Sequence, residues 1–462
     1  MDLGRIVDLQ REYYYSGETK TLEFRLANLQ KLRDLLVKFE DNILMALAKD
    51  LGKSNFEAYA TELTMAYEEI KLAMDNLEEW MRPVAEKTPI TAMPGKSYTL
   101  FEPMGVTLII SPWNYPFLLA IDPLIGAMAA GNTMILKPSR KSKHTSSLLR
   151  ELLNANFYAK YIHVVDNDKV SHDELLSYNY DHIFYTGGSK VGKTIMEAAS
   201  KNLSKVTLEL GGKSPAVVEK DANLSLAARS IAWGNTVNAG QTCVSPDYIL
   251  VHAAVKDSFV IELEKALLDF YGPDPINCHD YPSIINKDHL DGLLDLLKNQ
   301  NIIHGGEYDG ENLKLAPTIV DGVNFSNKLM DEEIFGPIFP IITYTNLNEV
   351  LYKIKTLPKP LAFYLFTEDE RIKEKVMYNM EFGNGMVNDT LMMVSNPYLQ
   401  FGGVGYSGQG GYHGYYGFKN FSNQKSIMEA NSGFEMKLKY PPYDNGALNL
   451  LKKLKKLIKK EP

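Results

Sequence analysis

Between Val106 and Leu210 the chain alternates short apolar runs with helical segments, and few folds accommodate that succession. Val106 to Ile110, Thr133 to Leu136, Tyr161 to Val165, His182 to Tyr185 and Lys205 to Leu210 read as strands; Ser142 to Asn156 and Lys190 to Ala199 read as helices. Pro116 to Gly131 is the most apolar stretch, but it carries Asp122 and Pro123 and is too short to cross a bilayer, so it reads as a buried helix. Repeated β and α units imply a parallel, doubly wound α/β sheet with helices on both faces. Ligands of such sheets lie beyond the C-terminal strand ends. Three of those ends carry notable residues: S-P-W-N with Trp113 and Asn114, Lys137 to Arg140, and Gly187-Gly188-Ser189.

The flanking sequence is of two kinds. Leu3 to Asp50 and Asn55 to Met81 show amphipathic helical spacing, and Pro83, Pro89 and Pro94 end it; Tyr98 to Phe101 alternates like a hairpin strand. After Gly212 a helix (Ser225 to Gly234), a strand (Tyr248 to Val251) and a long helix (Val255 to Phe270) suggest a second α/β domain. A chain of 462 residues exceeds the size of one growing core, which agrees with two or three domains. With 45% apolar and 23% charged residues it is ordinary globular material, and a net charge of -8 provides no basic field, so no nucleic-acid partner is expected.

Two cysteines without a C-x-x-C pair and nine histidines without ligand spacing favour a reducing cytoplasm and no metal. The N-terminal residues lack the apolar segment of a signal peptide. At the other end, 447–460 set Ala447, Leu450, Leu451, Leu454, Leu457 and Ile458 opposite six lysines, a basic amphipathic helix suited to peripheral contact with an anionic membrane or to packing on a partner.

Two motifs bear on chemistry. Asn238 to Tyr248, N-A-G-Q-T-C-V-S-P-D-Y, presents Cys243 from a glycine-containing loop, as a nucleophile requires, although a solitary cysteine elsewhere is usually a small core residue. Gly187 to Thr194, G-G-S-K-V-G-K-T, satisfies the phosphate-loop spacing with Lys193 and Thr194 in the phosphate and magnesium positions. The same glycines before a helix would equally cradle a dinucleotide pyrophosphate, and the pattern alone does not choose.

Asn114, Glu209 in L-E-L-G-G-K-S-P, Cys243 and Glu333 in E-E-I-F-G-P follow one another in that order behind the nucleotide-type sheet. The combination resembles the aldehyde dehydrogenase superfamily from about Leu3 to about Ser422, and its wording looks most like the class 3 branch. The resemblance implies a Rossmann-type cofactor domain (1–83 and 105–210), a second α/β catalytic domain (211–386), a small β bridging and oligomerisation element (84–104 and 387–430) and the tail (431–462). It implies Cys243 as nucleophile, Asn114 with the Cys243 N–H as oxyanion donors, and Glu209 as the base that activates water. For NAD or NADP it implies Trp113, Lys137, Gly187, Gly188, Ser189, Gly192, Glu333 and Phe335. It also implies a homodimer.

Two departures stand out. Many NAD-preferring relatives carry a Glu after K-P-S, and here Arg140 reverses that charge, so NADP is expected to be tolerated or preferred. The usual G-S-T is Gly187-Gly188-Ser189. His413, Asn388, Met392 and Met393 fall in segments expected near the pocket; Cys278 fits no motif and is expected to be structural. The alternatives are a nucleotide hydrolase built on Gly187 to Thr194, a CoA-acylating dehydrogenase, which has no need of a water-activating Glu209, and a membrane-surface scaffold acting through the tail.

Overall fold

The computed structural model describes residues 2–443 and 445–458. It divides into two compact units, Met1–Met81 with Glu102–Asn423, and Arg82–Phe101 with Gln424–Pro462.

The larger unit is built on two sheets. In the first, the strands run in the order Gly408–Gln409, Lys205–Glu209, His182–Thr186, Val106–Ile110, Thr133–Lys137, Ile162–Val164. The last five are parallel, and Gly408–Gln409 is antiparallel to Lys205–Glu209. The order reverses between Val106–Ile110 and His182–Thr186, which is where a doubly wound sheet opens its crevice. Val106–Ile110 is buried at every position, as a central strand covered on both faces must be. Helix Leu118–Ala130 is apolar all round and correspondingly enclosed, with only Leu119 partly exposed; Gly131 ends it at φ 86°.

The second sheet has seven strands in the order Ile302–His304, Thr318–Val320, Ile338–Tyr344, Tyr248–His252, Pro215–Val218, Ala362–Phe366, Asn384–Val387, all parallel except the first. L-E-L-G-G-K-S-P therefore passes from the last parallel strand of one sheet into the interior of the other. Strand Pro215–Val218 escapes sequence reading because its four residues, P-A-V-V, are too few to display a period. Between helices Asn55–Ala58 and Thr64–Trp80, the expected amphipathic segment contains a π-helical turn, Tyr59–Leu63, that helical spacing does not reveal.

The smaller unit contains most of a three-stranded sheet of Val84–Glu86, Lys96–Pro103 and Ser422–Glu429, and the helix Asn445–Ile458. Leu450 and Leu451 of that helix are exposed. Lys459 and Lys460, expected on its polar face, lie outside the described residues. Among the described residues no helix is long and apolar enough to cross a membrane, and no His/Cys/Asp/Glu cluster could hold a metal.

Candidate active site

The loop that carries Cys243 is preceded by three consecutive left-handed residues, Asn238 (φ 54°), Ala239 (φ 52°) and Gly240 (φ 73°). Side chains normally disfavour this conformation. Gly240 is also pressed onto its neighbour, since a Cβ there would lie 2.5 Å from the Gly336 carbonyl. Internal bonds hold the turn. Gln241 Nε2 donates to the Asn238 carbonyl at 2.9 Å, its Oε1 accepts from the Ile285 N–H at 2.9 Å, and Asn238 Nδ2 donates to the Gln241 carbonyl at 3.0 Å.

Asn114, buried just beyond strand Val106–Ile110, donates its Nδ2 to that same Gln241 carbonyl at 3.0 Å. Tyr115 Oη is 2.7 Å from Thr242 Oγ1. The two segments, 127 residues apart, are thus locked together one residue short of the thiol.

Two cavities meet at Cys243. One, of about 260 Å³, is an apolar chamber with Leu118, Trp233, Leu391, Phe401 and Tyr412 in its wall. The other, of about 210 Å³, is bordered by Trp113, Asn114, Gly187, Gly188, Glu333 and Phe335. Leu119, Thr186, Glu209, Leu210 and Cys243 line both. The thiol and the Glu209 carboxylate therefore face an apolar space on one side and a glycine-lined one on the other.

Glu209 is buried, and neither carboxylate oxygen has a hydrogen-bond partner among the described residues. Burial pushes its pKa well above the ordinary 4.5. Burial, followed by the nearby Glu333 and Glu209 carboxyl groups, also pushes the Cys243 thiol up.

Glu333 lies against the backbone at Gly211, where a Cβ would come within 2.0 Å of its Oε2. Only glycine admits the carboxylate there. Its pKa is raised well above 4.5 by burial and by Asp247, against Lys213 and the Gly212 N–H, which pull the other way. Lys213 pairs with Asp247 and donates to the carbonyls of Leu329 (2.7 Å) and Glu332 (2.9 Å), while Asp247 Oδ1 accepts from the Ile334 N–H at 2.9 Å. This clamp ties E-E-I-F-G-P to the end of the thiol loop. Phe335 (φ 57°) meets Trp113 edge-on at 5.3 Å, and its carbonyl accepts from His289 Nε2 at 2.8 Å. Burial lowers the His289 pKa, against the Phe335 carbonyl, which raises it.

Of the remaining cofactor candidates, Gly187 and Gly188 border this cavity, whereas Ser189, Gly192, Lys137 and Arg140 do not line it. Gly187 has φ 157°, and a Cβ at Gly188 would point into open space at the start of helix Ser189–Ser200. That geometry suits a pyrophosphate approaching helix N–H groups. Ser189 Oγ donates to the Tyr406 carbonyl at 3.4 Å, and Gly192 allows the helix to close on Leu210, 2.9 Å from where its Cβ would be. Lys137 is partly buried, with its pKa lowered by burial and by Arg140. Arg140 is exposed, and its Nη2 donates to the Val170 carbonyl at 3.1 Å.

The phosphate-loop alternative does not hold. Lys193 and Thr194 fall in the second turn of helix Ser189–Ser200 and line neither cavity; Lys193 Nζ sits 5.6 Å over the Tyr406 ring, and Thr194 Oγ1 turns back to the Lys190 carbonyl at 3.5 Å. His413 and Met392 line the apolar chamber. Asn388 does not; its side chain bonds the N–H (3.0 Å) and carbonyl (3.1 Å) of Thr367. Met393 contacts Tyr364 Oη through sulfur at 3.9 Å, and the Cys278 carbonyl accepts from Lys314 at 3.0 Å. Sequence reasoning passed over Gly211 and the Lys213–Asp247 clamp. The glycine pair directly after Glu209 was the available signal.

Residues 4–427 match the model of the aldehyde dehydrogenase family. The chain is 44% identical over 435 residues to the 4,4'-diaponeurosporen-aldehyde dehydrogenase of Staphylococcus aureus, covering 94% of this chain and 95% of that one. It is 42% identical over 460 residues to aldehyde dehydrogenase family 3 member H1 of Arabidopsis thaliana, covering 98% and 95%. A solved structure of a substrate-bound Staphylococcus aureus AldH superposes with a TM-score of 0.95 at 42% identity, covering 98% of this chain and 99% of that one. The chain belongs to the aldehyde dehydrogenase family, with class 3 members among its relatives, and is an enzyme that oxidises an aldehyde with NAD or NADP.

Proposed function

We propose that the apolar chamber receives an aliphatic or aromatic aldehyde, that the glycine-lined cavity receives the nicotinamide end of the cofactor, and that Cys243 joins the two. The observation that carries this reading is the shared wall, in which the thiol and Glu209 belong to both cavities. Cys243 Sγ gives up its proton to a neighbouring carboxylate and bonds to the aldehyde carbon, and the carbonyl electron pair moves to oxygen. The Asn114 Nδ2–H and the Cys243 N–H stabilise that oxyanion. NAD or NADP supplies the acceptor for the hydride lost as the thiohemiacetal becomes a thioester. Glu209 takes a proton from water, the resulting hydroxide adds to the thioester, and collapse releases the carboxylic acid and the Cys243 thiolate. A carboxylate with a raised pKa and no hydrogen-bond partner among the described residues is suited to that step.

For the cofactor, Glu333 accepts a ribose diol and Phe335 and Trp113 flank it; Gly187, Gly188 and Ser189 approach the pyrophosphate, and Lys137 the adenosine ribose. Arg140, a cation beside Lys137, supports use of NADP at least as readily as NAD. The functional division is 1–83 with 105–210 for cofactor, 211–386 for catalysis, and 84–104 with 387–430 for bridging. The class 3 likeness supports a cytoplasmic homodimer, to be checked by light scattering.

The deciding experiment follows reduced-nicotinamide formation by the purified protein with a medium-chain aldehyde and either cofactor, beside Cys243→Ala. Turnover abolished by the substitution is expected. Residual turnover in Cys243→Ala would overturn the thiol mechanism, and a kcat/KM favouring NAD would overturn the reading of Arg140.

A further inference from the structure

Lys53, Glu57 and Glu62, from one short N-terminal segment, gather beneath the reacting centre without entering the chemistry above. Lys53 and Glu62 are sealed from solvent and paired at 2.7 Å. Glu62 Oε2 accepts from the N–H groups of Phe117 (3.0 Å) and Leu118 (3.1 Å), where helix Leu118–Ala130 begins and negative charge is favoured. Lys53 Nζ lies 4.0 Å from the Tyr115 ring centre and 3.5 Å from the Asn114 carbonyl oxygen. This pair fixes the oxyanion side of the site. Glu57 reaches the thiol side, where its Oε1 accepts from the Asn238 N–H at 2.8 Å. Asn238 Nδ2 then donates to the same Asn114 carbonyl at 2.7 Å, closing the link between the halves. Glu57 lies in the helical turn Asn55–Ala58 and Glu62 in the π turn Tyr59–Leu63 that follows it.

We propose that Glu57 is a positioning residue for the reaction: its carboxylate holds the left-handed Asn238 turn in the arrangement that keeps the Cys243 thiol in line with the Asn114 amide. The proposal rests on Cys243 being the nucleophile. An N–H in a left-handed turn has no helix or strand partner of its own, and a charged acceptor binds it about twice as strongly as a neutral one. Lys53, Glu62, Asp280 and the hydroxyls of Tyr115, Tyr271 and Tyr281 face Glu57 electrostatically. Burial outweighs Lys53 and raises the Glu57 pKa to about 7, so the charged acceptor is present above that pH.

The test compares full-length wild type, Glu57→Ala, Glu57→Gln and Cys243→Ala at alkaline pH. It measures kcat with a medium-chain aldehyde, cofactor KM, the rate of Cys243 alkylation by iodoacetamide, and the thermal midpoint. Glu57→Ala is expected to lower kcat and slow alkylation by about 30-fold or more, as misplacement of a reacting group does, with the cofactor KM unchanged. Glu57→Gln keeps an acceptor but loses the charge, and is expected to recover most of the loss, remaining about threefold below wild type. Wild-type kcat and alkylation in Glu57→Ala would overturn the proposal. So would a loss shared with cofactor KM and thermal midpoint that Glu57→Gln does not relieve. If Glu57→Ala fails to fold, Glu57→Gln decides alone: the threefold loss at constant cofactor KM upholds the proposal, and wild-type behaviour overturns it. Turnover surviving in Cys243→Ala would instead sink the nucleophile reading and this proposal with it.

Discussion

On the proposed mechanism Glu209 and Asn114 have separable duties, so their substitutions should fail differently. Glu209→Gln is expected to lower steady-state kcat by about 10²- to 10⁴-fold while a first turnover of reduced nicotinamide still appears, because thioester formation precedes the step that needs the base. Stopped-flow absorbance distinguishes a retained burst from its loss. Asn114→Ala is expected to lower kcat by about 10²- to 10³-fold and to remove the burst as well, since the oxyanion forms before hydride is lost. The buried Glu209 carboxylate also carries a stability cost with a definite sign. Its pKa is raised above the ordinary 4.5, so the folded state holds the proton more tightly than the unfolded chain, and stability declines as pH rises from 4.5 toward the folded value. Glu209→Gln should therefore raise the thermal midpoint at alkaline pH and lose that advantage below 4.5. A lower midpoint at alkaline pH would contradict the burial argument. Activity should show the opposite trend, with kcat rising as Glu209 ionises.

Among the elements, the crossing from strand Lys205–Glu209 to strand Pro215–Val218 places Glu209 and the Glu333 seat at Gly211 two residues apart in the chain. Gly211→Ala is expected to push Glu333 aside, because a Cβ would fall 2.0 Å from Oε2. Cofactor KM should rise by about tenfold or more, equivalent to about 1.4 kcal/mol of lost binding, with aldehyde KM little changed. Steady-state kinetics with each substrate varied separately would reveal it; equal rises in both KM values would count against a ribose-holding Glu333. The basic helix Asn445–Ile458 lies outside the unit that holds both cavities. Its exposed Leu450 and Leu451 and its lysines suit an anionic bilayer surface. Truncation before 445 is expected to abolish co-sedimentation with phosphatidylserine-containing vesicles and to leave turnover of a short soluble aldehyde intact. Vesicle binding unchanged by truncation would remove the membrane role.

Across the whole molecule, much of the architecture was legible in the chain, because strand periodicity and helix spacing report burial locally. The alternation from Val106 to Leu210, the strand ends at Asn114, Lys137 and Gly187, and the loop around Cys243 all fall where periodicity and turn residues put them. The order Asn114, Glu209, Cys243, Glu333 was enough to suggest the family, and with it the candidates proposed as nucleophile and base. Other features had no local signature. Gly408–Gln409 joins the first sheet beside Glu209 from 199 residues away, register Gly408 to Glu209, and nothing in a glycine-rich loop announces its partner. Nor does the spacing of Glu57 foretell that it meets Asn238, since the two are 181 residues apart in the chain. The sequence by itself determined the candidate side chains for the chemistry and the strand ends near which they lie, since period and turn geometry act over a few residues. Only the tertiary structure decided that the thiol and Glu209 share a wall between an apolar chamber and a glycine-lined one, because that wall comes from packing two sheets whose strands meet through contacts far apart in the chain.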